Sequence, residues 1–200
     1  MDFLPATKKE MHQRGWDWVH VVLITGDAYI DHPSFGIALI GRWLEFLGYR
    51  VAILSQPRHN DPTDFKRFGR PKLFFGISSG NLDSIVANYT SQNRVRKKDA
   101  YSPGGNPYFP GPATKANRRR PDRAVIRYAH LAKEAFRDVP IVLGGIEASL
   151  RRFIHYDFQQ DTLRNSVLAD SKADILVYGM VKKLLVKLPS DSQRDIHWKG

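Results

Sequence analysis

The chain has no cysteine in its 200 residues. It therefore supplies no disulfide, no thiolate nucleophile, no Cys-ligated zinc and no Cys-held iron–sulfur cluster. Long apolar runs are lacking too, since none approaches the roughly 20 residues that a membrane helix needs. The opening stretch, MDFLPATKKEMHQRGWDW, has no signal-peptide core. A cytoplasmic protein without a membrane segment is the expectation. Acidic charge is scarce: 20 Asp and Glu stand against 31 Lys and Arg, a formal net charge of +11. The excess is local, because residues 94–123 hold nine Lys/Arg against Asp99 and Asp122, which is +7 of the +11. Basicity thus belongs to one segment and cannot stand for the whole chain.

A hydrophobic fraction of 42% suits one soluble domain with a proper core. Apolar, β-branched runs recur at 19–25, 50–54, 72–77, 140–143 and 174–178. Helical patterns lie between them. After Ser34, a fair N-cap, come Phe35, Ile37, Ala38, Ile40, Trp43, Leu44 and Leu47, with Gly48 as the stop. Further helices are predicted over 8–13, 62–68, 82–89 and 124–136, and the polar segment after Gly145 also reads as helical. Such alternation predicts an α/β, Rossmann-like fold, a mostly parallel sheet with helices on both faces. The dinucleotide fingerprint G-x-G-x-x-G does not follow the first strand, where the residues are Gly26-Asp27-Ala28. Residues 94–123 carry five prolines, three glycines and no apolar period, which reads as a long mobile loop.

In open parallel sheets, ligands bind at the carboxyl ends of the strands, so candidate residues are sought there. At the first strand end, Gly26, Asp27, Asp31 and His32 could hold a ligand against the following helix. An adjacent Asp and His can also orient an imidazole for proton transfer or ligation. The plainer alternative is that Asp31 and Ser34 cap the helix and His32 faces water. At the third strand end, Ser78, Ser79 and Gly80 offer hydroxyls and N–H groups, or form an ordinary capped turn. Gly144 and Gly145 permit close backbone approach at the fourth. Glu147 beyond them is either a ligand acceptor or a complement to a helix dipole. Arg151, Arg152, His155, Tyr156 and Asp157 form a polar cluster that is either a solvated face, as most such clusters are, or a contact with a ligand or a neighbouring domain. Tyr101, Tyr108 and Phe109 lie among the cations of 94–123, a composition that single-stranded nucleic acid binding uses, although usually on a rigid platform; a loop that packs on or covers a neighbouring domain is the favoured alternative.

Taken together, TGDAYIDHPSFG (25–36), LFFGISSGNLDSIVANYT (73–90), RPDRA (120–124), VPIVLGGIEASLRRFIHYDF (139–158) and DSKADILVYGM (170–180) resemble the N-terminal region of the YgiQ-type, or UPF0313, radical SAM proteins. The resemblance implies a cobalamin-binding-like Rossmann domain over 1–180, standing before a radical SAM barrel. It also implies a 4Fe–4S cluster and S-adenosylmethionine on that barrel, held through Cys-x-x-x-Cys-x-x-Cys. No such cysteines exist in this chain, so an accessory domain inactive by itself is expected, with the missing barrel as its partner. A corrinoid loop of the type Asp-x-His-x-x-Gly needs a residue between Asp and His, whereas Asp31 and His32 are adjacent. The tail, 181–200, leaves the family's path. Codons for Gly-Glu-Lys-Ala-Ile, read one base late, can give Val-Lys-Lys-Leu-Leu, so a frame slip is one expectation there. A free-standing nucleic-acid-binding module using 94–123 is the alternative function.

Overall fold

A computed structural model describes residues 3–179. The expected frame-slipped tail lies outside them. Five strands form one sheet in the order β2-β1-β3-β4-β7, and every adjacent pair runs parallel. They are β1 (Val21–Thr25), β2 (Val51–Ser55), β3 (Phe74–Ser78), β4 (Ile141–Leu143) and β7 (Ile175–Leu176). Counted as parallel strands alone, the order is 2-1-3-4-5. Its topological switch point lies between β1 and β3, where chain connections leave in opposite directions.

Strict alternation along β1 divides the core in two. Val21 and Leu23 pack with Val51, Ile53 and Phe74 under Leu44 of α2 (Gly36–Phe46). Val22 and Ile24 face the other way, toward Val125, Tyr128, Ala129 and Ala132 of α4 (Ala124–Ala135). A strand buried on both faces is mostly apolar, and β1 has no exposed residue, with Thr25 at the site end its one polar position. The two-faced α/β expectation holds.

Several local expectations are corrected. The helix read over 62–68 is a single 3₁₀ turn, Asp64–Lys66, and the one read over 82–89 is the shorter α3 (Ser84–Asn88). Ser34 does not cap α2; Phe35 holds the cap position and makes no side-chain bond there. The segment after Gly145 is helical only over α5 (Gly145–Leu150) and α6 (Val167–Ser171). Between them lies an antiparallel hairpin, β5 (His155–Asp157) and β6 (Thr162–Arg164). α1 (Lys8–Gln13) is present as read, closed by a capping box of Thr7 and Glu10.

The largest correction concerns residues 94–123, which are stitched to the carboxyl edge of the sheet. Ala28 N–H donates to the Tyr101 carbonyl at 2.8 Å, and Gln56 Nε2 donates to both Ser102 Oγ (2.7 Å) and the Gly26 carbonyl (2.9 Å). Arg118 and Arg120 are buried. Polar side chains replace the apolar period that the sequence lacks here, which is why no pattern announced an ordered segment.

Candidate functional site

The glycines at successive strand tips converge. A Cβ on Gly26 would strike the Ser79 carbonyl, and one on Gly80 would land on the Asp27 carboxylate. Gly80 also has φ +109°, a conformation closed to side chains, so glycine is required twice over. At Gly145, a Cβ would sit 3.1 Å from Ser78 Cβ. The carboxyl ends of β1, β3 and β4 are therefore in mutual contact and form one rim.

Between β1 and β3, at the switch point, this rim encloses a cleft of about 190 Å³. Thr25, Asp27, Ser78, Gly80, Asn81 and Gly145 form its polar side, while Phe35, Ile37, Ile40 and Ile146 form its apolar side. Gly144 lines an adjoining apolar pocket of about 80 Å³ over Gly76, Val142 and Val177. Asp27 is the one titratable side chain among the described residues lining the cleft, and it is already engaged. Its Oδ2 accepts from Asn81 N–H at 2.7 Å, and its Oδ1 accepts from Arg120 Nη2 at 2.5 Å. Arg120 in turn donates through Nε to the Ser79 carbonyl at 3.2 Å and pairs through Nη1 with Asp99 Oδ2 at 3.0 Å. Asp27 and Arg120 are each 1% exposed. Burial pushes the Asp27 carboxyl above its ordinary value, against the pull of the guanidinium that it shares with Asp99. One cation between two carboxylates is thus the bolt that fixes 94–123 to the sheet.

The remaining predicted residues divide. Asp31 is taken by Arg42, whose Nε lies 3.1 and 3.0 Å from its two oxygens; this guanidinium holds the Asp31 carboxyl below its usual value. His32 is exposed, and its Nδ1 accepts from Ser34 N–H at 3.2 Å. The Asp–His couple that would orient an imidazole is therefore not formed. Ser79 Oγ donates to the Leu82 carbonyl at 2.7 Å and turns away from the cleft. Glu147 is fully buried and accepts from Ser84 N–H (2.8 Å) and Val125 N–H (3.1 Å), the first turns of α3 and α4. Burial drives its carboxyl above the ordinary value. Its role is to close the starts of two other helices, rather than of the helix α5 on which it sits.

In the polar cluster, Arg151 pairs with Asp83, and Asp157 accepts from Arg123 Nε at 2.8 Å. The aromatics of the basic loop stack within their own segment and its neighbour. Phe109 lies between Arg58 and Arg119, whose guanidinium carbons are 4.5 and 4.8 Å from its ring centre. Tyr108 lies beside Arg118 at 5.9 Å. Arg94, Lys97 and Lys98 remain exposed. Sequence reasoning missed Arg120 and Asp99 as organising residues; the RPDRA segment was the available signal.

The family described as Radical SAM N-terminal matches residues 3–199. This chain belongs to that family. It is 52% identical to a UPF0313 protein of Thermotoga maritima over 92% of this chain and 31% of that protein. A UPF0313 protein of Vibrio vulnificus is likewise 52% identical, over 93% of this chain and 23% of its own length. One from Rhodopseudomonas palustris is 50% identical over 93% of this chain and 26% of its own length. The chain thus spans about a quarter to a third of the length of these UPF0313 relatives. No solved structure matches it. No helix among the described residues is long and apolar enough to cross a membrane.

Proposed function

We propose that this chain is the N-terminal accessory domain of a radical SAM 4Fe–4S enzyme and that its switch-point rim closes over the reaction chamber of the remaining part. The observation that carries this reading is the cleft itself. It lies where α/β sheets bind ligands, yet its one carboxylate is consumed by Arg120, so it can position and shield a ligand without exchanging protons. Closure of that kind excludes water from a reactive intermediate. The cluster does not fit this chain, because there is no cysteine to hold it and the described residues contain no group of three His, Cys, Asp or Glu suited to a metal. A corrinoid does not fit either, since Arg42 withholds Asp31 from His32. Ser78 and Asn81 would orient a polar group at the mouth of the cleft, and Ile37, Ile40 and Ile146 would exclude water from its far side.

The test uses a full-length relative such as the Thermotoga maritima protein, reconstituted with iron and sulfide. Cleavage of S-adenosylmethionine by the full-length protein, with none by the 200-residue chain, is expected. Cleavage by the 200-residue chain alone, or a full-length protein that takes up no cluster, overturns the reading. The alternative of a nucleic-acid module rests on the exposed cations of the segment, chiefly Arg94, Arg96, Lys97 and Lys98, since Tyr108 and Phe109 already lie against arginines of the domain. It demands oligonucleotide binding that weakens steeply with salt and vanishes when 94–98 are neutralised.

A further inference from the structure

The hairpin after α5 is built inside out. In its register Tyr156 pairs with Leu163, while His155 pairs with Arg164 and Asp157 with Thr162. Side chains alternate along a strand, so the cross-strand pair Tyr156 and Leu163 shares one face, and Ile154 and Phe158 flank β5 immediately before and after it. The opposite face is fastened to the domain, where Asp157 is held by Arg123 and by Arg164 Nε at 3.3 Å, and Arg164 also reaches Asp170 at 3.1 Å. The unfastened face is the apolar one. Ile154 is 70%, Tyr156 58%, Phe158 58% and Leu163 72% exposed. A two-stranded ribbon is marginal without a layer packed on it, and a soluble surface seldom shows so dense an apolar cluster.

We infer that this face is a docking surface for the polypeptide that follows Gly179 in the full-length protein. The inference rests on the accessory-domain reading above. Two observations select this occupant. The relatives are three to four times as long as the region they share with this chain, so a large body of the same polypeptide must be accommodated. The chain also leaves the sheet beside the ribbon: Arg152 lies 4.8 Å from the ring centre of Phe153 and 5.4 Å from that of Tyr178, bridging the hairpin's base to the end of β7. Tyr178 is itself exposed. A body tethered at Gly179 meets this face at high effective concentration, and a modest apolar contact then suffices to hold it. The ribbon is separate from the cleft rim, so docking here leaves the switch point free to face the chamber.

Amide hydrogen exchange decides the matter. The 200-residue chain is compared with a fusion in which the rest of the Thermotoga maritima relative follows Gly179. Amides of β1 and β3 should exchange equally slowly in both, which certifies the fold. Amides of 153–164 should slow at least tenfold in the fusion, and the double variant Ile154→Ser, Leu163→Ser should reverse that slowing without altering the melting of the 200-residue chain. Unchanged exchange at 153–164 in the fusion overturns the inference. Slowing that appears in the 200-residue chain alone as its concentration rises assigns the face to a second copy and also overturns it. A fusion that cleaves S-adenosylmethionine yet leaves 153–164 unprotected rejects the docking surface alone. A fusion that takes up no cluster and shows protection rejects the enzymatic reading alone.

Discussion

Replacing Arg120 with methionine tests the bolt between the sheet and the basic loop. The substitution keeps most of the side-chain volume but removes the cation that Asp27 and Asp99 share. Breaking a buried pair from one side costs about 3–5 kcal/mol, because the charge left behind has no water to return to. A domain of this kind has about 5–15 kcal/mol in all, so the loss is a large share of its stability. For a chain near this length, each kcal/mol lowers the melting temperature by about 2–4 °C, which gives a fall of roughly 6–20 °C. The pH dependence carries the diagnosis. With the guanidinium gone, nothing offsets the burial that already raises the Asp27 carboxyl, so the folded state binds more protons than the unfolded one. Stability of the variant therefore falls as pH rises above about 4, and the deficit against the native chain is larger at pH 8 than at pH 5. Urea unfolding followed by tryptophan fluorescence measures the deficit, and tryptic cleavage within 94–123 reports whether the loop has come away. A loss under about 1 kcal/mol, or one that does not grow with pH, refutes the bolt.

Other outcomes follow from single contacts. Glu147→Ala strips the acceptor from two buried N–H groups and should cost about 2–6 kcal/mol by equilibrium unfolding, with Glu147→Gln milder because one oxygen remains. Gly80→Ala places a methyl on the Asp27 carboxylate at φ +109° and should abolish soluble expression or lower stability by more than about 2 kcal/mol. Burial works to raise the Asp157 carboxyl, but Arg123 outweighs it and holds the group below its ordinary value. The stability that this anchor contributes is complete above the unfolded carboxylate pKa and is lost as pH falls through the lowered one. Protection at 153–164 in the isolated chain, measured against the intrinsic exchange rate at each pH, should therefore fall below about pH 4, and Asp157→Asn should show that lower protection already at neutral pH.

The strands were legible because a parallel strand covered on both faces is mostly apolar, and 21–24 and 73–77 read that way with no charged residue among them. Their glycine ends were legible for a similar reason, since only glycine tolerates the approach that Gly26 and Gly80 make. The hairpin was also written in the sequence, as the alternation Ile154, Tyr156, Phe158. It went unread because charged neighbours made the segment look like a solvated face, and nothing local reveals that its apolar side points outward. Glu147 could not be assigned from its position near a helix start. Its burial depends on two other helices whose first turns arrive from residues 84 and 125. Arg120 was obscured by statistics, as arginine is almost never fully buried unless paired, and its partners lie 93 and 21 positions away in the chain.

A cluster of cations in a proline-rich stretch invites a reading in which charge faces outward and recruits an acidic partner. Here the central cations face inward. Arg118 and Arg120 neutralise Asp122, Asp27 and Asp99, and Arg123 secures the hairpin through Asp157. The segment thus spends much of its charge closing the end of its own sheet and fixing the ribbon at one side. What it leaves for others is a cleft without a free titratable group and an apolar strip beside the chain's exit. Both suit a body bound in the same polypeptide, where orientation comes from the tether and affinity need not come from charge. Neither suits a partner found by electrostatic steering, which would need the central cations turned to solvent.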